Sequence, residues 1–145
     1  MDAFIPAALT LLAQKITTTA SAAYRPRFGV GITDWRIIAL LASEPWIAPV
    51  KICETTGLDK AAVSRSLHYL VESGLVELLS GETNRRRLPL ALTARGLALH
   101  DEILEVAQRR EARLLEGFSA AERAQLQDFI ARMRRAAEGL AAQPV

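Results

Sequence analysis

The residue types best suited to chemistry lie between Lys60 and Arg87. Over residues 60–73, Lys60, Ala61, Ser64, Arg65 and His68 recur at helical spacing and would share one face of a helix. Ammonium, hydroxyl, guanidinium and imidazole groups alternate there with small residues. Such groups donate to phosphate oxygens and base edges, and small neighbours let a helix approach a groove floor. Further on, Arg85, Arg86 and Arg87 are consecutive. Three adjacent like charges repel unless something anionic lies against them, as a phosphate backbone or a minor groove does. Each feature alone has an ordinary reading, a solvated face and a solvated basic turn. A basic turn directly after such a helix is rarer, and the succession points to nucleic acid.

The elements that must position these groups are legible around them. Pro49 can open a short helix carrying Val50, Ile52 and Cys53, and Gly57 can close it in the left-handed conformation. Leu58 would turn inward. Asp59 stands where an N-cap belongs, its carboxylate accepting from the first free amides of the next helix. Val63, Leu67, Leu70 and Val71 give that helix an apolar stripe, and Gly74 ends it. Residues 75–79 and 88–92 are apolar runs of strand length. The turn-forming, basic segment 80–87 between them predicts a hairpin. The order is a helix-turn-helix followed by a wing.

Before this module, a helix is expected from about residue 5 to 23, with Leu9, Leu12, Ile16 and Ala20 on one stripe. Pro26, Gly29 and Gly31 should then break the chain. Thr33 is the expected cap of a second helix over 34–42, in which Trp35, Ile38 and Leu41 share a face. After the module, Thr93 should cap a long helix from 94 to about 117. Ser119 with Glu122 forms a capping box for a last helix bearing Leu126, Phe129, Ile130, Met133 and Leu140. The terminal helices carry more apolar surface than a small winged domain needs to cover. That excess predicts a partner helix, most simply in a two-fold homodimer.

Composition limits the alternatives. The chain has 145 residues, half of them hydrophobic, and a formal net charge of only +2. Bulk charge therefore does not mark a nucleic-acid binder; the basic excess is local to the wing. One cysteine excludes an intrachain disulfide and predicts a cytoplasmic protein. No run approaches the length of a membrane span, and the N-terminus lacks the basic start of a secretion signal. No phosphate loop, dinucleotide motif, nucleophile elbow or metal-ligand spacing is present. His68 and His100, the only histidines, fall on different elements. Carboxylates on the last two helices alternate with arginines, which reads as surface pairing. Neither an enzyme, nor a cofactor, nor a metal site is expected.

A helix-turn-helix containing KAAVSRSLHYLVESGLVE, then GLVELL, an Arg-rich loop, and LTARG opening a long helix resembles the MarR (multiple antibiotic resistance regulator) family over nearly the whole chain. The resemblance implies a mainly α fold with a small β-hairpin. It divides the chain into an N-terminal dimerisation helix and linker (1–32), a winged helix-turn-helix DNA-binding domain (33–93) and C-terminal dimerisation helices (94–145). It implies a homodimeric regulator on a pseudo-palindromic operator, repression being the commoner mode. Arg65 would then reach a guanine or a phosphate and Arg86 the minor groove, with Arg85 and Arg87 on phosphates. The family's wing usually has Asp-x-Arg, whereas this chain has Asn84 and Arg86, so the bracing group is neutral. The resemblance also implies release by a small aromatic or phenolic ligand, with Tyr24, Arg25, Trp35 and Arg36 as candidate lining. Two other readings stand beside it. One is a winged-helix protein-interaction module without DNA binding. The other is a redox-responsive regulator through Cys53, which otherwise reads as a small core hydrophobe.

Overall fold

The computed structural model describes residues 4–79 and 88–143. Among these, the element order is α1 (Ile5–Phe28), α2 (Ile32–Ser43), α3 (Pro49–Thr56), α4 (Lys60–Glu72), β1 (Val76–Leu78), β2 (Leu90–Leu92), α5 (Ala94–Leu114) and α6 (Ala120–Leu140). No helix among the described residues is long and apolar enough to cross a membrane. The expected turn and its arginines, residues 80–87, lie outside the described residues.

The helix-turn-helix forms as its local chemistry dictates. Pro49 opens α3, and Gly57 closes it at φ 70° with its N–H on the Cys53 carbonyl. The Asp59 carboxylate accepts from the Ala62 N–H at 2.8 Å and so caps α4. Val63, Leu67 and Leu70 of α4 are buried with Ile37, Ile38 and Leu41 of α2 and Ile52 of α3. Full burial of such side chains contributes about 1.5–3 kcal/mol each, and this group is the centre of the core. β1 and β2 pair antiparallel, with Val76 opposite Leu92, Glu77 opposite Ala91 and Leu78 opposite Leu90. Leu90 also exchanges both backbone bonds with Ile47, at 2.8 and 3.2 Å. A single residue before α3, between Pro45 and Pro49, thus extends the two-stranded sheet.

The chain divides into two compact units, residues 1–105 and 106–145. The first holds the core just described, with Ile103 of α5 fully buried in it. In the second, the end of α5 turns into α6. Ser119 Oγ accepts from the Glu122 N–H, and the Glu122 carboxylate accepts from the Ser119 N–H. That backbone bond, then the Ser119 hydroxyl, holds the Glu122 carboxyl below its ordinary value. Arg123 Nη2 donates to the Leu115 carbonyl at 2.9 Å and closes the turn.

Several boundaries differ from those expected. α1 runs on to Phe28, and Pro26 lies inside its last turn. The break comes only at Gly29, at φ 71°, whose N–H caps the Arg25 carbonyl at 2.9 Å. Proline there removes one backbone donor but does not stop the helix. α2 begins at Ile32 rather than Asp34, with Gly31 at its N-cap; Thr33 is in the first turn. Asp34 supplies the missing bond from inside the helix, its Oδ2 accepting from the Gly31 N–H at 2.9 Å. α5 stops at Leu114, three residues before the expected end. Leu58 and Cys53 are half-buried rather than buried, because α3 is short and its last turn lies at the surface.

The LTARG segment performs three tasks. Thr93 Oγ1 accepts from the Gly96 N–H at 3.1 Å and donates to the Gly74 carbonyl at 2.7 Å. Arg95 Nη1 donates to the Ser73 carbonyl at 3.1 Å. Gly96 lets α5 lie against the chain at Leu75, since a Cβ on Gly96 would stand 2.1 Å from the Leu75 carbonyl oxygen. Backbone there cannot swing aside as a side chain would. Gly96→Ala should therefore destabilise the protein by at least about 2 kcal/mol, read as a lower urea midpoint; an unchanged midpoint would refute the close approach.

Candidate nucleic-acid interface

α4 separates its faces cleanly. Val63, Ser66, Leu67 and Leu70 point into the core, while Lys60, Ala61, Ser64, Arg65 and His68 are all exposed. The five residues chosen from spacing thus share one accessible face. Among the described residues, neither Lys60 nor Arg65 has a carboxylate within ion-pair distance. His68 Nε2 lies 3.9 Å from Glu72 Oε1, both well exposed, a pair that solvent screens. The face therefore offers two cations without a carboxylate partner among the described residues, flanked by Ser64 and Ala61. Arg85, Arg86, Arg87 and Asn84 lie outside the described residues.

Two polar residues that the sequence reading passed over, Ser66 and Tyr69, hold this helix. The Ser66 hydroxyl donates to Asp34 Oδ1. The Tyr69 hydroxyl donates to the Gly29 carbonyl. At the far end, Thr93 and Arg95 bind the chain just past α4. Ser66 left one signal: it falls within the stripe of Val63, Leu67 and Leu70, where a polar residue needs a buried partner. The partner itself is 32 residues away and could not be read locally.

The candidate ligand residues separate into groups. Tyr24 is buried and meets Trp35 edge-on, ring centroids 6.4 Å apart at 69°. Trp35 in turn stacks on His100 at 5.4 Å and 25°. Tyr24 also packs against Phe28. Arg25 instead lines an open cleft of about 380 Å³ beside α4, shared with Asp34, Ala62, Arg65, Ser66 and Tyr69. Arg36 is exposed and is not among the residues that line this cleft. No cluster of three metal-ligating side chains occurs among the described residues.

Comparison with known proteins gives this architecture a family. The sequence model of the MarR family matches residues 28–87. A MarR/EmrR family transcriptional regulator from Acinetobacter sp. ADP1, of known structure, is 36% identical. Its match covers 93% of this chain and 95% of that one, with a TM-score of 0.86. The HTH-type transcriptional regulator PetP of Rhodobacter capsulatus is 33% identical over 79 residues. That match takes in 54% of this chain and 47% of the relative, about half its length. A mutant MarR from E. coli, solved in complex with operator DNA, shares the fold with a TM-score of 0.77. It is 22% identical, over 89% of this chain and 92% of that one. These are transcriptional regulators, not enzymes, and the mainly α fold with a small hairpin is theirs. The chain belongs to the MarR family of transcriptional regulators.

Proposed function

We propose that the protein is a sequence-specific, homodimeric DNA-binding repressor in which α4 enters the major groove. The observation that carries this reading is the exposed face of α4. It presents Lys60, Ala61, Ser64, Arg65 and His68, its two cations without a carboxylate partner among the described residues, on a helix whose other face is core. The operator complex of E. coli MarR supports it through the shared fold. Arg65 reads a guanine edge or holds a phosphate, and Lys60, Ser64 and His68 flank it. Arg86 enters the adjacent minor groove, while Arg85 and Arg87 hold phosphates.

Dimerisation follows from apolar surface that the chain leaves open. On α1, Ile5, Leu9, Leu12 and Ile16 are exposed; on α6, so are Leu126, Phe129, Ile130 and Met133. Both sets recur at helical spacing, as faces that meet a partner helix do. A two-fold dimer sets two reading helices about one DNA turn, roughly 10 bp, apart. A small aromatic or phenolic ligand shifts that separation, with Tyr24, Arg25, Trp35 and Arg36 as its contacts. It acts only through unequal affinity for the two arrangements.

Three outcomes are expected. Arg65→Ala should weaken specific binding by about 1–3 kcal/mol and relax one base preference, whereas Arg87→Ala should lower affinity for all sequences and reduce the salt slope by about 1. Equal losses on specific and random duplexes for Arg65→Ala would remove it from base reading. Sedimentation should show a dimer that Phe129→Asp converts to monomer with its helical circular dichroism intact; a monomeric unmodified protein would contradict the assembly. Salicylate at millimolar concentration should lower operator affinity, and an unchanged binding curve across a panel of aromatic acids would remove ligand release from the proposal.

A further inference from the structure

We infer that Asp34, Ser66 and Tyr69 are positioning residues for DNA recognition: they fasten the reading face of α4 to the junction between α1 and α2. This rests on the DNA-reading proposal above and adds to it the device that aims the helix.

The contacts sit where they matter. Ser66 adjoins Arg65, and Tyr69 lies one turn further on beside His68. Apolar packing by Val63, Leu67 and Leu70 attracts without direction, so it leaves small rotations and slides of α4 weakly opposed. Hydrogen bonds are directional. Asp34 is 8% exposed and Ser66 6%, so neither group has bulk water as a substitute partner. The Asp34 carboxylate is itself pinned, one oxygen on the Ser66 hydroxyl and the other on the Gly31 N–H at 2.9 Å. It cannot follow α4 without giving up its own helix cap.

The second fastening uses a carbonyl that the helix end leaves over. Gly29, in the left-handed conformation at φ 71°, terminates α1, and its C=O has no intrahelical partner. The Tyr69 hydroxyl takes it. The junction is tied back to α1 as well, since the Ile32 N–H donates to Ser21 Oγ at 3.0 Å. Residues 29–34 are thus a base plate with two attachment points on α4, and Arg65 lines the same open cleft beside them.

The consequence falls on specificity. Bidentate contacts to base edges need fixed angles, whereas phosphate contacts to random DNA tolerate a loosely held helix. The test uses Ser66→Ala, Tyr69→Phe and the double variant. Affinities are measured for a duplex that the unmodified protein enriches from a random pool and for a scrambled duplex of equal composition, well below each variant's unfolding temperature. The ratio of the two affinities should fall roughly tenfold in the double variant, with scrambled-duplex binding nearly unchanged. A purely structural role would lower both affinities in proportion and leave the ratio intact; that result, or no change at all, overturns the inference. If Ser66→Ala fails to fold, Tyr69→Phe keeps the ring and carries the test alone. If the unmodified protein enriches no sequence, the DNA-reading proposal falls and this inference falls with it. Enrichment with an unchanged ratio in the variants sinks the inference alone.

Discussion

A single buried carboxylate, Asp34, joins the parts of the first unit that must keep register. One oxygen caps the start of α2 through the Gly31 N–H, and the other receives the Ser66 hydroxyl of α4. Burying a carboxylate without such partners costs several kcal/mol. The cost is offset only while Gly31, Asp34 and Ser66 hold their places, which makes the arrangement close to all-or-none. α2 contributes Ile37, Ile38 and Leu41 to the core, and α4 lays Val63, Leu67 and Leu70 against the same interior. Packing holds the helices together, and the carboxylate specifies how they are turned.

Most of the module was legible because its signals are local. Pro49, Gly57 and Asp59 mark one helix end and two helix starts within eleven residues, and each does so through its own backbone chemistry. That Lys60, Ala61, Ser64, Arg65 and His68 share an exposed side of α4 followed from the 3.6-residue period alone. Signals that failed were ambiguous or distant. Thr33 and Asp34 are both acceptable near a helix start, and only the fold decides that Asp34 reaches back to Gly31. Pro26 reads as a breaker, yet one missing donor in a last turn is tolerated when Gly29 follows with a cap. The pairing of Ile47 with Leu90 and the bond from Ser66 to Asp34 span 43 and 32 residues. No periodicity within one segment announces a bond of that kind.

Charge carried less of the argument than its distribution did. A net +2 over 145 residues describes an ordinary globular chain. The informative observation is local, two cations of α4 with no carboxylate partner among the described residues. The same contrast holds for apolar surface. Overall hydrophobicity is unremarkable for a helical protein, but α6 buries none of its residues within the chain. An amphipathic helix with its apolar side open accounts for itself only through a partner, which is why assembly and DNA recognition belong to one proposal.

The most direct test of the central claim, that the exposed face of α4 reads DNA, is a titration at two salt concentrations. The purified protein is set against the DNA upstream of its own coding region and against a scrambled duplex of equal length. Binding to the upstream duplex should persist at the higher salt while binding to the scrambled one collapses, because base contacts supplement the counterion release that both duplexes share. Equal affinities for the two duplexes at both salts, or no binding to either, would contradict the account.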